Sequence, residues 1–313
     1  MSRCATPEEA FLAAGLVLFE RGWLSSNNVL FLPAAKGEAV LVDTGYWSHQ
    51  EQTVALVRRA LGDRPLARIV NTHLHSDHCG GNAALHSAYG CEVLVPAGEE
   101  EKARLWNEDR LTYRATGQRC PRFPVDGAVV APDGIELGGK PWQVIPSPGH
   151  DPESFVVYQA DLRLLISADA LWENGFGVVF PELEGLSAFD DLAGTLDTLS
   201  GLAIDWVIPG HGRPFADAAA AIDRARKRLA VFIADPRRHA SHAARVLTKF
   251  HLLEVQSQGV EEMLAWMHGV PYLQRLHAEY FSAAEFRTWG LELIGDLCRG
   301  GAARMDGQTV KDA

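Results

Sequence analysis

The sequence predicts a mixed α/β fold with sheets covered by helices, followed by an all-helical C-terminal appendage. Three observations carry this expectation. Short apolar, β-branched runs closed by polar or glycine-rich turns recur up to about residue 215, as buried strands do. Helix-period stretches lie between them, the alternation expected when helices cover a sheet. After Pro214 the strand-like runs cease and apolar residues recur at helical spacing.

The first apolar run, residues 11–19, follows Pro7-Glu8-Glu9 and not a basic segment, and it is too short to span a bilayer. It is read as a buried strand or helix, not a signal peptide. Strands are expected at 28–32, 39–42, 68–71, 91–95, 142–145, 155–158, 164–166 and 206–208, with helices at 52–61 and 190–199. In the appendage, Ile222, Leu229, Phe232 and Ile233 share one helical face, and Val246, Phe250 and Leu253 the next. Gly259 and Gly269-Val270-Pro271 punctuate the helices. Ser282-Ala283-Ala284-Glu285 reads as a capping box opening a helix that carries Phe286, Trp289, Leu293 and Leu297. The expected division is a first domain over 1–215, a helical domain over 216–299, and a flexible, Gly-rich polar tail over 300–313. The apolar stripes of the appendage need partners, which leaves part of a substrate wall or a homodimer contact as their expected use.

Composition narrows the function classes. A chain of 313 residues accommodates one large domain with an appendage, or two domains. With 47% hydrophobic and 22% charged residues, the composition argues against extensive disorder. The net charge of -11 disfavours capture of polyanions by the whole molecule. Cys4, Cys79, Cys91, Cys120 and Cys298 are odd in number and form no Cys-x-x-Cys pair, so neither a disulfide framework nor a thiolate zinc site is indicated. A reducing, cytoplasmic location is expected, with no membrane association.

The chemistry concentrates in Asn71-Thr72-His73-Leu74-His75-Ser76-Asp77-His78-Cys79-Gly80-Gly81-Asn82, directly after an expected strand. Four metal-competent side chains fall within six residues, and imidazole and carboxylate suit zinc, iron and manganese. In extended backbone His73 and His75 point to the same side. Gly80-Gly81 lets the backbone bend closely behind Asp77 and His78. Cys79 is read as a small buried residue, since harder ligands already fill the site.

This segment resembles the signature of the metallo-β-lactamase superfamily, and the remaining ligands of that family have matching positions at expected strand ends. They are His150 in Ser147-Pro148-Gly149-His150, Asp169 in Ser167-Ala168-Asp169-Ala170, and His211 in Ile208-Pro209-Gly210-His211-Gly212. The resemblance, over roughly residues 25 to 215, implies a four-layer αβ/βα sandwich with metals at one sheet edge. It further implies that His73, His75 and His150 hold one divalent ion, that Asp77, His78 and His211 hold a second, and that Asp169 bridges them. Two ions are expected, zinc first, with iron or manganese as alternatives. A carboxylate at 169, where the cysteine-containing β-lactamases carry Cys, argues against antibiotic hydrolysis. A histidine at 75, where oxygen-reducing flavodiiron relatives carry Glu, argues against an oxidase. Asp43 in Leu41-Val42-Asp43-Thr44-Gly45 also matches a family motif and is expected to orient the loop or a ligand imidazole.

The expected reaction is attack by a metal-bridging hydroxide on an ester, thioester or lactone carbonyl, with Asp77 accepting the proton as the intermediate collapses. Two alternatives stand beside it. One is an iron-dependent redox enzyme on the same ligands. The other is a nuclease using Arg224, Arg226, Lys227, Arg228, Arg237, Arg238, Arg245 and Lys249 as a basic nucleic-acid-binding module, against which a solvated helix face is the plainer reading. Trp172, Phe176 and Phe180, close in sequence to Asp169, are expected to line an apolar small-molecule pocket. Trp106, Tyr113, Arg114 and Arg119 are placed on its opposite wall, the arginines available to a substrate carboxylate.

Overall fold

The computed structural model describes residues 4–32 and 37–313. The run 11–19 is part helix and part strand, the helix Pro7–Ala14 being ended by Gly15 with its φ of 70°, but it is not buried as expected: only Ala14 and Leu16 of it are buried, and Leu12 is 84% exposed. Strands β1 (Leu16–Phe19), β2 (Asn28–Phe31), β3 (Ala39–Val42), β4 (Leu66–Val70), β5 (Glu92–Pro96) and β6 (Gly127–Val129) make one sheet in that spatial order. A second sheet holds β7 (Gly134–Leu137), β8 (Lys140–Pro146), β9 (Phe155–Gln159), β10 (Leu164–Ala168) and β11 (Trp206–Pro209), in the order β11-β10-β9-β8-β7. The β3 to β6 pairings and β10 with β11 are parallel, and the other pairings within these two sheets are antiparallel.

The sheets pack face to face because alternate residues of each strand are apolar and point inward. Phe31, Val40, Val42 and Val70 from the first sheet share one buried cluster with Trp142, Val144, Val157, Ile166 and Ile208 from the second. Phe31 and Trp142 meet edge to face at 5.2 Å, and the buried Trp142 indole N–H donates to the Leu137 carbonyl at 3.1 Å. Amphipathic helices supply the outer layers. The helix Gln50–Leu61 buries Thr53, Val57 and Leu61, and the helix Ala188–Ser200 buries Phe189, Leu192, Leu196 and Leu199.

The chain divides into two compact units, the first comprising Met1–Asn107 with Cys120–Ala230 and the second Glu108–Arg119 with Val231–Ala313. This differs from a cut at 215. The helix Ala218–Ala234 buries Ala221, Ile222 and Ala225, and all of it but its last four residues belongs to the first unit, while residues 108–119 leave that unit altogether.

The second unit is mainly helical, with helices over Pro236–Val255, Val260–Gly269, Pro271–Leu276 and Phe286–Arg299. Three expectations change here. The tail from 300 onward is ordered into β13 (Ala303–Asp306) and β14 (Thr309–Asp312), which join β12 (Ser257–Gly259) in a small antiparallel sheet, so the appendage is not wholly helical. Arg304, Asp306 and Gln308 face solvent while Val310 and Ala303 are buried, and two inward residues are too few to read as a strand pattern. The last long helix starts at Phe286 with Glu285 at its cap, because Ser282 still has helical backbone closing the preceding turn, so no capping box forms at Ser282. The buried face of Pro236–Val255 runs through Ala240, Ala243, Ala244, Leu247 and Leu252, with Val246, Phe250 and Leu253 at its flank, and Ile233 is 55% exposed. Alanine packs closely enough to define a helix face that a search for large apolar residues overlooks.

Candidate metal centre

Each strand that carries a site residue ends on the same side of the two sheets. β3 delivers Asp43, β4 the segment 71–79, β8 the turn before His150, β10 Asp169, and β11 His211. Backbone hydrogen bonds lock these loops together. Ser26 N–H donates to the Asp77 carbonyl at 3.0 Å, Asn27 N–H to the Gly210 carbonyl at 2.7 Å, and Thr44 N–H to the His78 carbonyl at 2.7 Å.

The donor atoms of His73, His75 and His150 lie within 4.8 Å of one another, as do those of Asp77, His78 and His211, and those of His73, His78 and Asp169. All seven sequence-predicted ligands therefore meet in one cluster. The two nominal trios are adjacent, and Asp169 faces both. Its Oδ1 lies 3.4 Å from His78 Nε2, and its Oδ2 lies 3.5 Å from His150 Nε2 and 3.9 Å from His211 Nε2.

The surrounding acceptors fix which nitrogen of each ring keeps its lone pair. A carboxylate or carbonyl only accepts, so the ring nitrogen beside it carries the proton. His78 Nδ1–H donates to Asp43 Oδ2 at 2.7 Å, and His150 Nδ1–H to the Val178 carbonyl at 2.6 Å. Thr72 donates its hydroxyl to Asp43 at 2.8 Å, and that oxygen accepts from His73 Nδ1 at 3.1 Å. His73 and His150 are thereby left with Nε2 lone pairs directed into the cluster, and His78 presents its Nε2 beside Asp169 Oδ1. His75 turns Nδ1 inward, 2.7 Å from His150 Nε2, with Nε2 4.0 Å from Asp151.

Electrostatics agree with a site built for cations. Burial first, then neighbouring histidines, holds His73 well below the ordinary imidazole range. Burial lowers His75 to about 4, and burial with the adjacent His75 lowers His150 to about 4. Burial opposes charge on Asp169, yet His78 and His211 keep its carboxyl well below the usual range. Burial likewise opposes Asp77, which its hydrogen bond from His211 at 3.1 Å outweighs. His78 goes the other way: burial would lower it, but Asp43 and Asp169 raise it well above the ordinary value.

The residues fit a divalent metal pair on an observation of their own. His73 Nε2 and His78 Nε2 are buried without a hydrogen-bond partner, a costly condition that a bound cation relieves. Nitrogen and carboxylate donors suit zinc, iron or manganese alike, so the set does not select one metal. Cys79 belongs to none of the three donor groups, and its thiol donates to the Leu74 and His75 carbonyls.

The aromatic wall differs from expectation. Trp172 is at the site, its indole N–H donating to Asp169 Oδ1 at 3.1 Å and its ring edge-on to His211 at 5.5 Å. Phe180 lies 5.9 Å from the His75 ring. Phe176 does not line a pocket. It is 1% exposed and sits beneath the Arg228 guanidinium, part of the core. Tyr113 and Arg114 fall in the second unit with Arg119, Tyr113 buried and Arg114 paired with Glu108 and Asp109. Trp106 caps the helix Glu100–Leu105 and packs on Phe123. Sequence reasoning missed Trp23, which stacks on the His211 ring at 5.5 Å from the loop between β1 and β2. Nothing in its local pattern announces that approach. It also missed Asp151, whose signal was its place beside His150.

Comparison with known proteins follows the same line. The sequence model of the Metallo-beta-lactamase superfamily matches residues 21–211. A hydroxyacylglutathione hydrolase of Hyphomonas neptunium is 30% identical over 145 residues, 46% of this chain and 47% of that protein. The acyl-coenzyme A thioesterase MBLAC2 of Bos taurus is 29% identical over 222 residues, 63% of this chain and 77% of the relative. The chain spans about half the length of the hydroxyacylglutathione hydrolases of Hyphomonas neptunium and Anaeromyxobacter dehalogenans that it matches. Among solved structures, a metallo-beta-lactamase family protein from Thermus thermophilus superposes with a TM-score of 0.55 at 22% identity, covering 96% of this chain and 100% of that one. The BLEG-1 B3 metallo-beta-lactamase superposes at 0.54 and 23%, covering 66% of this chain and 96% of that one. At such identities the likeness concerns the fold.

Proposed function

From the premise that this chain belongs to the metallo-beta-lactamase superfamily, we propose that it is a metal-dependent hydrolase of acyl thioesters. The observation that carries the reading is the single cluster of three overlapping donor groups with Asp169 facing both trios. Of the ester, thioester and lactone substrates that such a site serves, the thioester is favoured by the hydroxyacylglutathione hydrolase and acyl-coenzyme A thioesterase relatives.

In this reading His73, His75 and His150 would hold one ion, Asp77, His78 and His211 the other, with Asp169 shared. When bound, a pair of divalent ions supplies an activated water and an electrophile for the carbonyl oxygen. The residues of the chain do the rest. Asp43 holds His78 in its ligating tautomer, and the Val178 carbonyl does the same for His150. The Trp172 indole N–H fixes one oxygen of Asp169. Asp77, paired with His211, is placed to accept a proton as the thiol leaves. Trp172, Phe180 and the exposed Trp23 give an apolar flank for the acyl portion. Against a nuclease, Arg226 pairs with Asp197, Arg245 with Asp296, Lys249 with Asp312 and Arg238 with Asp235, while Arg224 donates to the Glu173 carbonyl. These cations are already engaged within the protein. Among the described residues no helix is long and apolar enough to cross a membrane.

The test assays metal-depleted protein reconstituted with zinc, iron or manganese against acyl-glutathione, acyl-coenzyme A, lactone and single-stranded RNA substrates. Thioester turnover that returns only with metal is expected. RNA cleavage with no turnover across the thioester, ester and lactone substrates would overturn the reading. Metal content of the reconstituted protein should reach two ions per chain, and Asp169→Ala should lower it at both positions while the fold stays intact. Elemental analysis decides this.

A further inference from the structure

Outside the metal cluster, the first unit brings two cysteine thiols into contact. Cys79 Sγ and Cys120 Sγ lie 3.7 Å apart, though 41 residues separate them in sequence. We propose that Cys79 and Cys120 form a reversible dithiol/disulfide pair, a modification site that clamps the segment entering at Cys120 onto the loop that carries the ligands. The proposal does not depend on the hydrolase reading, since it concerns sulfur chemistry that the ligand set does not use.

The two cysteines have different surroundings. Cys79 is buried, the last residue of the turn Ser76–Cys79, and its thiol donates to the Leu74 and His75 carbonyls at 3.5 and 3.3 Å. Its backbone is tied as well. The Cys79 N–H donates to the His75 carbonyl, and the preceding His78 carbonyl accepts from Thr44 N–H and from the Asn71 and Thr44 side chains. Behind the turn, an added Cβ at Gly80 would lie 2.4 Å from the Trp47 nitrogen, so the loop cannot retreat. Cys120 is half-buried in a segment without regular structure, the first residue where the chain rejoins the first unit after residues 108–119. A disulfide needs the sulfurs about 1.7 Å closer, at ~2.0 Å. The Cys120 side has the freedom to supply that movement, and the Cys79 side does not.

This asymmetry sets the order of events. The reachable Cys120 thiol reduces hydrogen peroxide, its sulfur taking one oxygen to become a sulfenic acid while the other oxygen leaves as water. The Cys79 thiol then attacks that sulfur, the S–O bond breaks, and a second water departs with the Cys79 proton. Two thiols are oxidised and one peroxide is reduced to two waters. A small dithiol reverses the link by thiol–disulfide exchange at the Cys120 sulfur. Among the described residues Cys4, Cys91 and Cys298 have no thiol neighbour of this kind, and burial pushes the Cys91 thiol up to about 11, which slows its oxidation.

Zinc-reconstituted protein is exposed to stoichiometric hydrogen peroxide, quenched with N-ethylmaleimide, digested and examined by mass spectrometry. The expected result is loss of two hydrogens per chain, a cross-linked peptide pair containing Cys79 and Cys120, and full return of both thiols with dithiothreitol. In Cys120→Ser the cross-link should vanish and Cys79 should stay reduced, with metal content and far-ultraviolet spectrum unchanged. Cys120→Ala gives the same comparison should the serine disturb folding. Alkylation of both cysteines after peroxide treatment that oxidises other thiols would overturn the proposal, as would a different cross-link or irreversible sulfinic acid at either position.

Discussion

The buried Asp43 carboxylate accepts three hydrogen bonds, from Thr72 N–H at 2.9 Å, the Thr72 hydroxyl at 2.8 Å and His78 Nδ1–H at 2.7 Å. One residue therefore orients two imidazoles, His78 directly and His73 through Thr72. Asp43→Asn keeps the size but turns an acceptor toward donors less well, so zinc affinity should fall about 10- to 100-fold. Competition with a chromophoric chelator measures it, and unchanged affinity would remove Asp43 from the positioning role. The histidines also predict how metal-free protein responds to pH. His75 and His150 titrate near 4 in the fold against 6.5 when unfolded, both lowered first by burial. Between those values the unfolded chain binds more protons than the native one, so stability is fully present above about 6.5 and is lost as pH falls toward 4. His78, raised by Asp43 and Asp169, acts oppositely, but its window lies above the ordinary value and does not cancel theirs. Thermal unfolding of metal-free protein should therefore show a lower midpoint at pH 5 than at pH 6.5. Equal midpoints would contradict the assignment of neutral, buried imidazoles.

At the scale of elements, the site depends on loops brought to near contact by small residues. An added Cβ at Gly210 would lie 2.1 Å from Asp169 Oδ1, and one at Gly177 would lie 2.4 Å from His150 Nδ1. Glycine is needed at both because a backbone passes where a side chain must stand. Gly210→Ala should displace the Asp169 carboxylate and cut bound metal to one ion per chain or fewer, with little change in helical content. Elemental analysis beside circular dichroism tests this, and two retained ions would mean the β11 turn yields more easily than its neighbours suggest. The strand ends that carry the ligands were legible beforehand, since each follows an apolar β-branched run. β6 and β7 were not, because three and four residues beginning with glycine offer too little alternation to distinguish from a loop.

On the scale of the whole molecule, the division into units governs what can be removed. A chain ending at Phe215 loses Ala221, Ile222 and Ala225, which are buried in the first unit, and strips residues 108–119 of the second unit to which they belong. Gly117 shows how closely that segment is fitted, since a Cβ there would meet Val270 and Trp266 within 3.3 Å. The shortened chain should elute as aggregate in size-exclusion chromatography, and a monodisperse, metal-binding product would show that the second unit is dispensable. The sequence by itself determined the layered α/β class, the helical change of texture after Pro214 and, through local spacing, the donors His73, His75, Asp77 and His78, because periodicity and ligand spacing are local properties of the chain. His150, Asp169 and His211 were reached only through the resemblance to the family. Only the tertiary structure decided that Trp23 stacks on His211, that Phe176 is core, that residues 108–119 belong with the C-terminal helices and that Cys120 meets Cys79. Each of these is a meeting of residues far apart in sequence, fixed by how the sheets and helices pack and not by any pattern either partner carries alone.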